Sequence, residues 1–158
     1  MKIAIRLDSE VGPLETVVVH TPGQEMENMT PQTAAEVLYD DILSLPLALA
    51  EHRQLKGVLE RVARVVEFKT LLAEVLDAGP VREALVKELC SLYDCPELIG
   101  SLVDMSSTAL AAQLIEGTPK RAISLEKFLS PSRYAIPPLP NTFFTRDATM
   151  CLNDRVII

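Results

Sequence analysis

The segment LETVVVHTPG, residues 14–23, indicates the fold class of this chain. Its β-branched run is typical of a strand, and the Pro-Gly pair that follows turns the chain. Residues 46–61, PLALAEHRQLKGVLER, have a helical pattern, and VARVVEFK at 62–69 is again strand-like in composition. Strand, helix and strand in succession predict a βαβ-type unit, and therefore an α/β fold.

The helical pattern between the two strands comes in two parts. Thr30 and Pro31 form a cap followed by a proline at the first position, which predicts the start of a short helix. Further on, a longer helix is predicted by five apolar residues near helical spacing, Leu47, Ala50, Leu55, Val58 and Leu59. Both helices belong to the connection that a pair of parallel strands requires.

The middle of the chain has helical patterns that follow one another without a strand. TLLAEVLDAGPVREALVKELCSLYD at 70–94 breaks at Gly79 and otherwise predicts two helices. Leu85, Leu89 and Leu92 give the second helix an apolar stripe.

Pro96 predicts the start of the next helical stretch, which splits near Met105 and ends at Gly117. SLEKFLS at 124–130 predicts one more short helix. Residues 70–130 are therefore expected to form an all-helical insert.

The last residues regain strand character. ATMCLNDRVII at 148–158 predicts two strands joined by a turn at Asn153 and Asp154. The second strand stops in the middle of an apolar run, which is a poor edge for a self-sufficient domain. We therefore expect the chain to be a fragment of a longer protein.

The composition limits the possible functions. The chain has 158 residues, 48% of them hydrophobic and 23% charged, which is typical of a globular protein. Its net charge of −7 argues against a nucleic-acid partner. The sequence contains no apolar run of the roughly 18 residues that a membrane span needs. Its three cysteines lack metal-ligand spacing and predict reduced thiols in a cytoplasm.

The stretch PPLPNTFFTRD at 137–147 carries the most candidate chemistry. If Asp147 faces a pocket, its carboxylate can accept two parallel N–H bonds from a guanidinium group. The alternative is a helix-capping or turn aspartate, or an exposed partner for Arg146. Phe143 and Phe144 point to opposite sides, so one is expected in the core and the other is available to cover an apolar ligand stem.

Other acidic and imidazole side chains give weaker signals. Asp40 and Asp41 are adjacent, so a dyad that shares a proton is not expected; either one of them faces a ligand or both are solvated loop acids. His20 and His52 lie more than thirty residues apart with no obvious third metal ligand, and we expect structural or surface roles.

LPPLPNTFFTRD resembles the segment that leads into the active site of the arginine deiminases, members of the guanidine-modifying (pentein) superfamily. Three other stretches agree with that family in order and spacing: SEVGPLETVVVHTPGQEMENMTP, VLYDDI and LLAEVL. The resemblance implies a partial α/β propeller. Residues 1–69 would form the first blade, 70–130 the helical insert, and 131–158 the substrate loop and the start of the next blade.

The resemblance also implies an activity, the hydrolysis of L-arginine to L-citrulline and ammonia in arginine metabolism. The reaction needs neither a metal nor an organic cofactor, and it passes through a covalent cysteine intermediate. By position, Asp147 matches a carboxylate that clamps the guanidinium group. Asn141 matches a residue at the amino-acid end of the substrate, Phe144 one that packs on the stem, and Leu38 one whose carbonyl takes the ammonium group.

The nucleophilic cysteine, its histidine and the second clamping glutamate of the family have no match here, so we expect the chain alone to be inactive. Two alternatives stay open. One is another guanidine-modifying enzyme, such as a dimethylarginine hydrolase, an agmatine deiminase or an amidinotransferase. The other is a non-catalytic helical interaction module. The apolar ending RVII predicts association with a second copy or with the missing part of the protein.

Overall fold

A computed structural model describes residues 5–7, 9, 11–29, 31–120, 133–147 and 150–157. It contains both helices and short strands, which confirms a mixed α/β chain. Within these ranges the strands form three separate two-stranded sheets. The helix predicted at 124–130 and the cap residue Thr30 lie outside the described residues.

The first unit is the predicted strand–helix–strand arrangement. Strand β1 (Thr16–Val19) pairs in parallel with β2 (Arg64–Glu67), with Thr16 opposite Arg64 and Val19 opposite Glu67. The connection contains helices α1 (Gln24–Glu27), α2 (Pro31–Glu36) and α3 (Leu45–Leu59). Parallel strands cannot be joined by a tight turn, and this long crossover provides the connection.

Helix α3 forms where its pattern predicts it, but that apolar pattern does not face the core. Leu47, Leu55 and Val58 are all more than half exposed, whereas Leu45 and His52 are the buried positions. The helical spacing therefore predicted the helix correctly, but it did not predict which side of α3 is buried. The three side chains form part of an apolar face that no other described element covers.

A group of helices follows β2. It consists of α4 (Phe68–Leu76), α5 (Gly79–Leu92), a 3₁₀ turn (Pro96–Leu98), α6 (Ile99–Val103) and α7 (Ser107–Glu116). The predicted break at Gly79 is confirmed, since α5 begins there. The hydroxyl of Ser106 accepts a hydrogen bond from the Ala109 N–H and caps α7.

The core of this helical group forms mainly between α4, α5, α6 and α7. Val86 and Cys90 are the fully buried positions of α5, with Leu85 and Leu89 packed partly buried beside them. The expectation that Leu92 completes the stripe is wrong, because its side chain is 71% exposed. Leu92 is the last residue of α5, where the chain leaves the packed face.

Arg82 of α5 ties together the ends of neighbouring helices. Its guanidinium group donates to the carbonyl oxygens of Leu76 (2.9 Å), Val103 (3.1 Å) and Met105 (3.0 Å) and to the hydroxyl of Ser107. The last carbonyls of a helix lack intrahelical donors. A single planar cation therefore satisfies the ends of α4 and α6 and contacts the start of α7.

Short strands frame the rest of the described chain. Gly117, at φ +93°, ends α7 as predicted, and β3 (Thr118–Pro119) then pairs antiparallel with β4 (Tyr134–Ile136). The two C-terminal strands, β5 (Met150–Leu152) and β6 (Arg155–Ile157), form the predicted hairpin.

Asn153 occupies the turn of that hairpin at φ +54°, a conformation that asparagine tolerates better than most residues. Its backbone N–H and C=O also exchange two 2.8 Å hydrogen bonds with Leu7. The hairpin is therefore held to the start of the described chain.

Among the described residues, no helix combines the length and the apolar character that crossing a membrane would require.

Candidate active site

Two loops that lie about a hundred residues apart in the sequence pack against each other. The side-chain amide of Asn141 donates to the carbonyl oxygen of Val37 at 3.2 Å, and the two residues are 104 positions apart. In the opposite direction, the Tyr39 hydroxyl donates to the carbonyl oxygen of Pro140, also at 3.2 Å. The Tyr39 ring lies 5.9 Å from that of Phe144. Three of the predicted substrate-binding positions, Leu38, Asn141 and Phe144, thus belong to one locality.

Leu38 lies at the end of α2 in an unusual backbone conformation. Its N–H bonds to the Ala35 carbonyl at 3.3 Å, and the N–H of Tyr39 bonds to the Ala34 carbonyl at 2.9 Å. This pair of bonds is a Schellman motif, which places the residue after the helix in the left-handed region. Leu38 occupies that position at φ +63°, where glycine is usual, and its side chain is 90% exposed.

The second loop is a 3₁₀ turn over Pro140–Phe143. The hydroxyl of Thr142 donates to the Leu139 carbonyl at 2.6 Å, and the Phe144 N–H donates to the Asn141 carbonyl at 3.0 Å. These local bonds fix the direction of the side chains that follow.

The two phenylalanines of this loop have different neighbours. Phe143 is half-buried and its ring lies 6.0 Å from that of the buried His52. The ring of Phe144 contacts Tyr39 and Phe143 and remains 46% exposed. This division matches the expectation that one ring packs inward and the other stays accessible.

Asp147 lies in the turn that follows, with its side chain exposed. Its backbone N–H donates to the carbonyl of Phe144 at 3.2 Å, and within the described ranges no hydrogen bond or ion pair holds its carboxylate. The Thr145 hydroxyl donates to the Val18 carbonyl at 3.0 Å, which anchors the turn to β1. The carboxylate is thus presented at a surface next to the two loops.

The neighbouring acids of the first loop are solvated. Asp40 and Asp41 are both exposed, and an Asp41 oxygen accepts the N–H of Ile42 at 2.7 Å. Their geometry is that of loop acids, with one of them supporting its own turn.

A buried acid–imidazole pair lies where β1 ends. His20 Nε2 is 3.0 Å from Glu25 Oε1, and the Gly23 N–H donates to the same oxygen at 2.6 Å. Burial acts to raise the pKa of Glu25, but the hydrogen bonds from His20 and from backbone N–H groups outweigh it and lower the pKa. A side chain at Gly23 would begin 2.7 Å from the other Glu25 oxygen, so a larger residue here would force the Glu25 carboxylate to shift. His20 therefore has the structural one of its two predicted roles, and its buried partner Glu25 was not predicted from the sequence.

Glu67, the last residue of β2, collects a second set of donors. Its carboxylate accepts the N–H of Thr21 at 3.1 Å, the Thr21 hydroxyl at 2.8 Å and the ammonium group of Lys56 at 2.6 Å. Burial would raise the pKa of Glu67, yet these donors together lower it. The bonds tie α3 and the loop after β1 to the end of β2.

A cleft of about 430 Å³ opens at the carboxyl ends of β1 and β2. Its lining consists of His20, Thr21, Glu67, Lys69, Thr70 and Thr108. None of the predicted substrate-binding residues lines it, and most of its charged groups already have partners, such as Glu116 for Lys69 at 2.7 Å. The cleft and the paired loops are separate features.

Within the described ranges, no three His, Cys, Asp or Glu side chains come together in a way that could hold a metal ion. Cys90 and Cys95 are buried free thiols, and burial together with the neighbouring Cys90 raises the pKa of Cys95 to about 11. A thiol with so high a pKa is a poor nucleophile near neutral pH. Cys151 is a free, half-buried thiol in β5.

Comparison with known proteins agrees with the resemblance. The family model for arginine deiminase matches residues 35–158. Arginine deiminase from Latilactobacillus sakei is 30% identical over the whole chain, and that from Lentilactobacillus hilgardii is 32% identical over 95% of it. Arginine deiminase from Mycoplasma capricolum is 29% identical over 93%. The chain spans 42%, 40% and 38% of the length of these three relatives. The matched residues include both loops of the candidate site, and the chain belongs to the arginine deiminase family.

Proposed function

We propose that this chain is the N-terminal part of an arginine deiminase, a hydrolase that converts L-arginine to L-citrulline and ammonia in arginine metabolism. The observation that carries the proposal is the packing of the loop at 37–39 against the loop at 140–144. This packing brings Leu38, Asn141 and Phe144 together from distant parts of a chain that matches the family.

Each of these groups suits one part of an arginine molecule. The exposed face of Phe144 can cover the aliphatic stem, and the Leu38 carbonyl can accept N–H bonds from the α-ammonium group. Asn141 lies beside both and contributes to the amino-acid end. Asp147, which leaves its carboxylate unpaired among the described residues, can take two parallel N–H bonds from the guanidinium group.

The reaction also needs groups that this chain does not supply. The charge of a guanidinium group is delocalised, so its carbon is a poor electrophile and must be held in plane while a nucleophile approaches its face. In the proposed reaction a cysteine thiolate from the rest of the protein attacks this carbon and ammonia leaves. Water activated by a histidine then releases citrulline and restores the thiolate. The role of this chain is to bind and orient the substrate, and the 158-residue chain alone is expected to be inactive.

Citrulline formation tests the proposal. The full-length protein encoded by the reading frame that contains this chain should release citrulline from L-arginine, and the purified 158-residue chain should not. Asp147→Asn in the full-length protein removes a charge-assisted hydrogen bond of about 1.5–3 kcal/mol, which corresponds to a loss of about 10- to 150-fold in kcat/KM.

Asp154→Asn is the matched control, because Asp154 is an exposed aspartate in the turn of the C-terminal hairpin. Its kinetics should equal those of the unmodified protein. Equal kinetics for Asp147→Asn would remove Asp147 from the site, and a full-length protein without citrulline formation would refute the proposed activity itself.

The same proposal extends to the architecture. We assign residues 1–69 to the first blade of a pentein propeller, 70–130 to the helical insert, and 131–158 to the substrate loop with the start of the next blade. The parallel β1–β2 pair and the run of helices from Phe68 to Glu116 support this division. We further propose that the enzyme works in the cytoplasm without a metal or an organic cofactor, in keeping with its free thiols.

The exposed face of α3 supports association with a second copy or with the rest of the protein. Leu47, Leu55 and Val58 are exposed on the helix, and Val62 just beyond it is 65% exposed. Sedimentation of the 158-residue chain should show self-association, which Leu55→Lys combined with Val58→Lys should abolish. Val81→Lys, at an exposed valine of α5, is the control and should change nothing. A compact monomer at high concentration would argue against the proposed association.

A further inference from the structure

Tyr39 connects the two loops of the candidate site in a way that the proposed roles do not use. It directly follows Leu38 and is the final residue of the Schellman motif, so its backbone position is fixed by its bond to Ala34. Its side chain then reaches across to the other loop. The hydroxyl donates to Pro140, 101 residues away, and the ring contacts Phe144.

The surroundings of Tyr39 favour a single, persistent geometry. Its side chain is half-buried, and the sulfur of the buried Met26 lies 3.9 Å from the hydroxyl oxygen. The carbonyl of Pro140 belongs to a buried residue of a 3₁₀ turn that has its own internal bonds. A hydrogen bond between two groups that are each held in place orients whatever lies beside them.

A second bond runs the other way and closes the connection. Asn141 donates to the carbonyl of Val37, so residues on both sides of Leu38 are bonded to consecutive residues of the opposite loop. The Asn141 side chain is exposed and water can compete for its bond. The half-buried Tyr39 bond is therefore the better protected of the two.

We infer that Tyr39 is a positioning residue that sets the separation between the Leu38 carbonyl and the Phe144 ring, and thereby favours a guanidino compound that carries an α-amino group. The inference rests on the proposed function. Both ends of the distance that Tyr39 fixes are proposed substrate contacts, one polar and one apolar. If the loops move apart, the ammonium group and the stem can no longer be bound together.

Tyr39→Phe in the full-length protein tests the inference, because it removes only the hydroxyl. KM for L-arginine should rise about three- to tenfold, the loss expected for one net hydrogen bond, while kcat stays within about twofold. Tyr93→Phe is the control, since Tyr93 is an exposed tyrosine at the end of α5. Removal of its hydroxyl group should change neither KM nor kcat.

A substrate analogue separates positioning from general loosening. Arginine without its α-amino group (δ-guanidinovalerate) cannot use the Leu38 carbonyl, so its competitive inhibition constant should be the same for Tyr39→Phe and the unmodified protein. An equal weakening of analogue and arginine would overturn the inference, because it would place the effect elsewhere in the pocket. Unchanged arginine kinetics would overturn it as well.

Hydrogen exchange gives a readout that does not depend on activity. The amide of Phe144 should exchange faster in Tyr39→Phe, while amides of the buried helix α7 keep their rates. An unmodified full-length protein without activity on arginine would refute the proposed function. If the unmodified protein is active, an unchanged KM in Tyr39→Phe, or an unchanged exchange rate at the Phe144 amide, would refute the role of Tyr39 alone.

Discussion

Replacing Leu38 by glycine should preserve or increase the stability of this chain, although it deletes a whole side chain. At φ +63° a non-glycine residue is disfavoured by about 1–2 kcal/mol. Glycine relieves this strain but gives the unfolded chain more freedom, which costs about 0.5–1 kcal/mol. The Leu38 side chain is 90% exposed and contributes almost no burial. We therefore expect Leu38→Gly to be about 0–1.5 kcal/mol more stable than the unmodified chain.

Two further variants test whether the change in the free energy of unfolding at Leu38 comes from backbone strain. Leu38→Val places a β-branched residue in the same conformation and should lower the free energy of unfolding by about 1 kcal/mol. Leu55→Gly is the control, because Leu55 is also an exposed leucine but lies inside α3. Glycine in a helix interior should cost about 1 kcal/mol there. The same substitution should thus act in opposite directions at the two leucines.

Urea denaturation followed by far-UV circular dichroism measures these differences, provided that the slopes of the transitions agree. In the full-length protein, Leu38→Gly should also leave KM for L-arginine within about threefold, because only the backbone carbonyl is proposed to contact the substrate. If Leu38→Gly lost as much stability as Leu55→Gly, the argument from backbone strain would be wrong. A tenfold rise in KM for a stable Leu38→Gly protein would instead show that the side chain takes part in binding.

Three other predictions concern the frame of the site. Arg82→Met removes the donors of three carbonyls and a hydroxyl, so the free energy of unfolding should fall by about 3 kcal/mol and Tm by about 6–12 °C. Arg53→Met, on the surface of α3, should lower the free energy of unfolding by less than about 0.5 kcal/mol. The pKa of Glu67 is lowered in the folded chain from its ordinary value of 4.5. Its carboxylate therefore contributes fully to stability at a pH above 4.5, and this contribution is lost as the pH falls through the folded-state pKa. Glu67→Gln should flatten this part of the acid-unfolding curve. With a thiol reagent at neutral pH, Cys151 should react in the folded chain, whereas the buried Cys90 and Cys95 should react only after unfolding. Counting the reactive thiols in native and denatured samples checks this prediction.

Much of the secondary structure could be predicted from the sequence because local chemistry determines it. The β-branched run before Pro22-Gly23 forms β1, and Gly79-Pro80 starts α5. Gly117 ends α7 at a positive φ, as a residue without a side chain allows. In each case the signal lies within a few residues of the feature that it predicts.

Features that depend on distant partners could not be predicted in the same way. The pattern of α3 does not say that Leu55 and Val58 remain exposed, because periodicity identifies a face and not what covers it. Glu25 is buried because His20 and a backbone N–H satisfy it, and an isolated glutamate in a sequence predicts the opposite. Leu38 in a conformation that favours glycine carries no sequence signal either.

The two loops of the candidate site could also be predicted only in part from the sequence. The family resemblance identified Leu38, Asn141 and Phe144 one by one, and their roles remain predictions. It gave no indication of the Tyr39 bond to Pro140, because a single hydroxyl that reaches across the fold leaves no periodic pattern. Contacts between side chain and backbone over long sequence distances are set by the tertiary structure alone.

The distance of 101 residues between Tyr39 and Pro140 also has a consequence for how a ribosome makes this protein. At about 5–20 residues per second, the earlier loop leaves the exit tunnel roughly 5–20 s before the later one. Throughout that interval the nascent chain displays only one of the two loops of the candidate site, while the helices between the loops are already able to form. A ligand that contacts both loops can stabilise the protein only after this interval, so it cannot guide the first stage of folding.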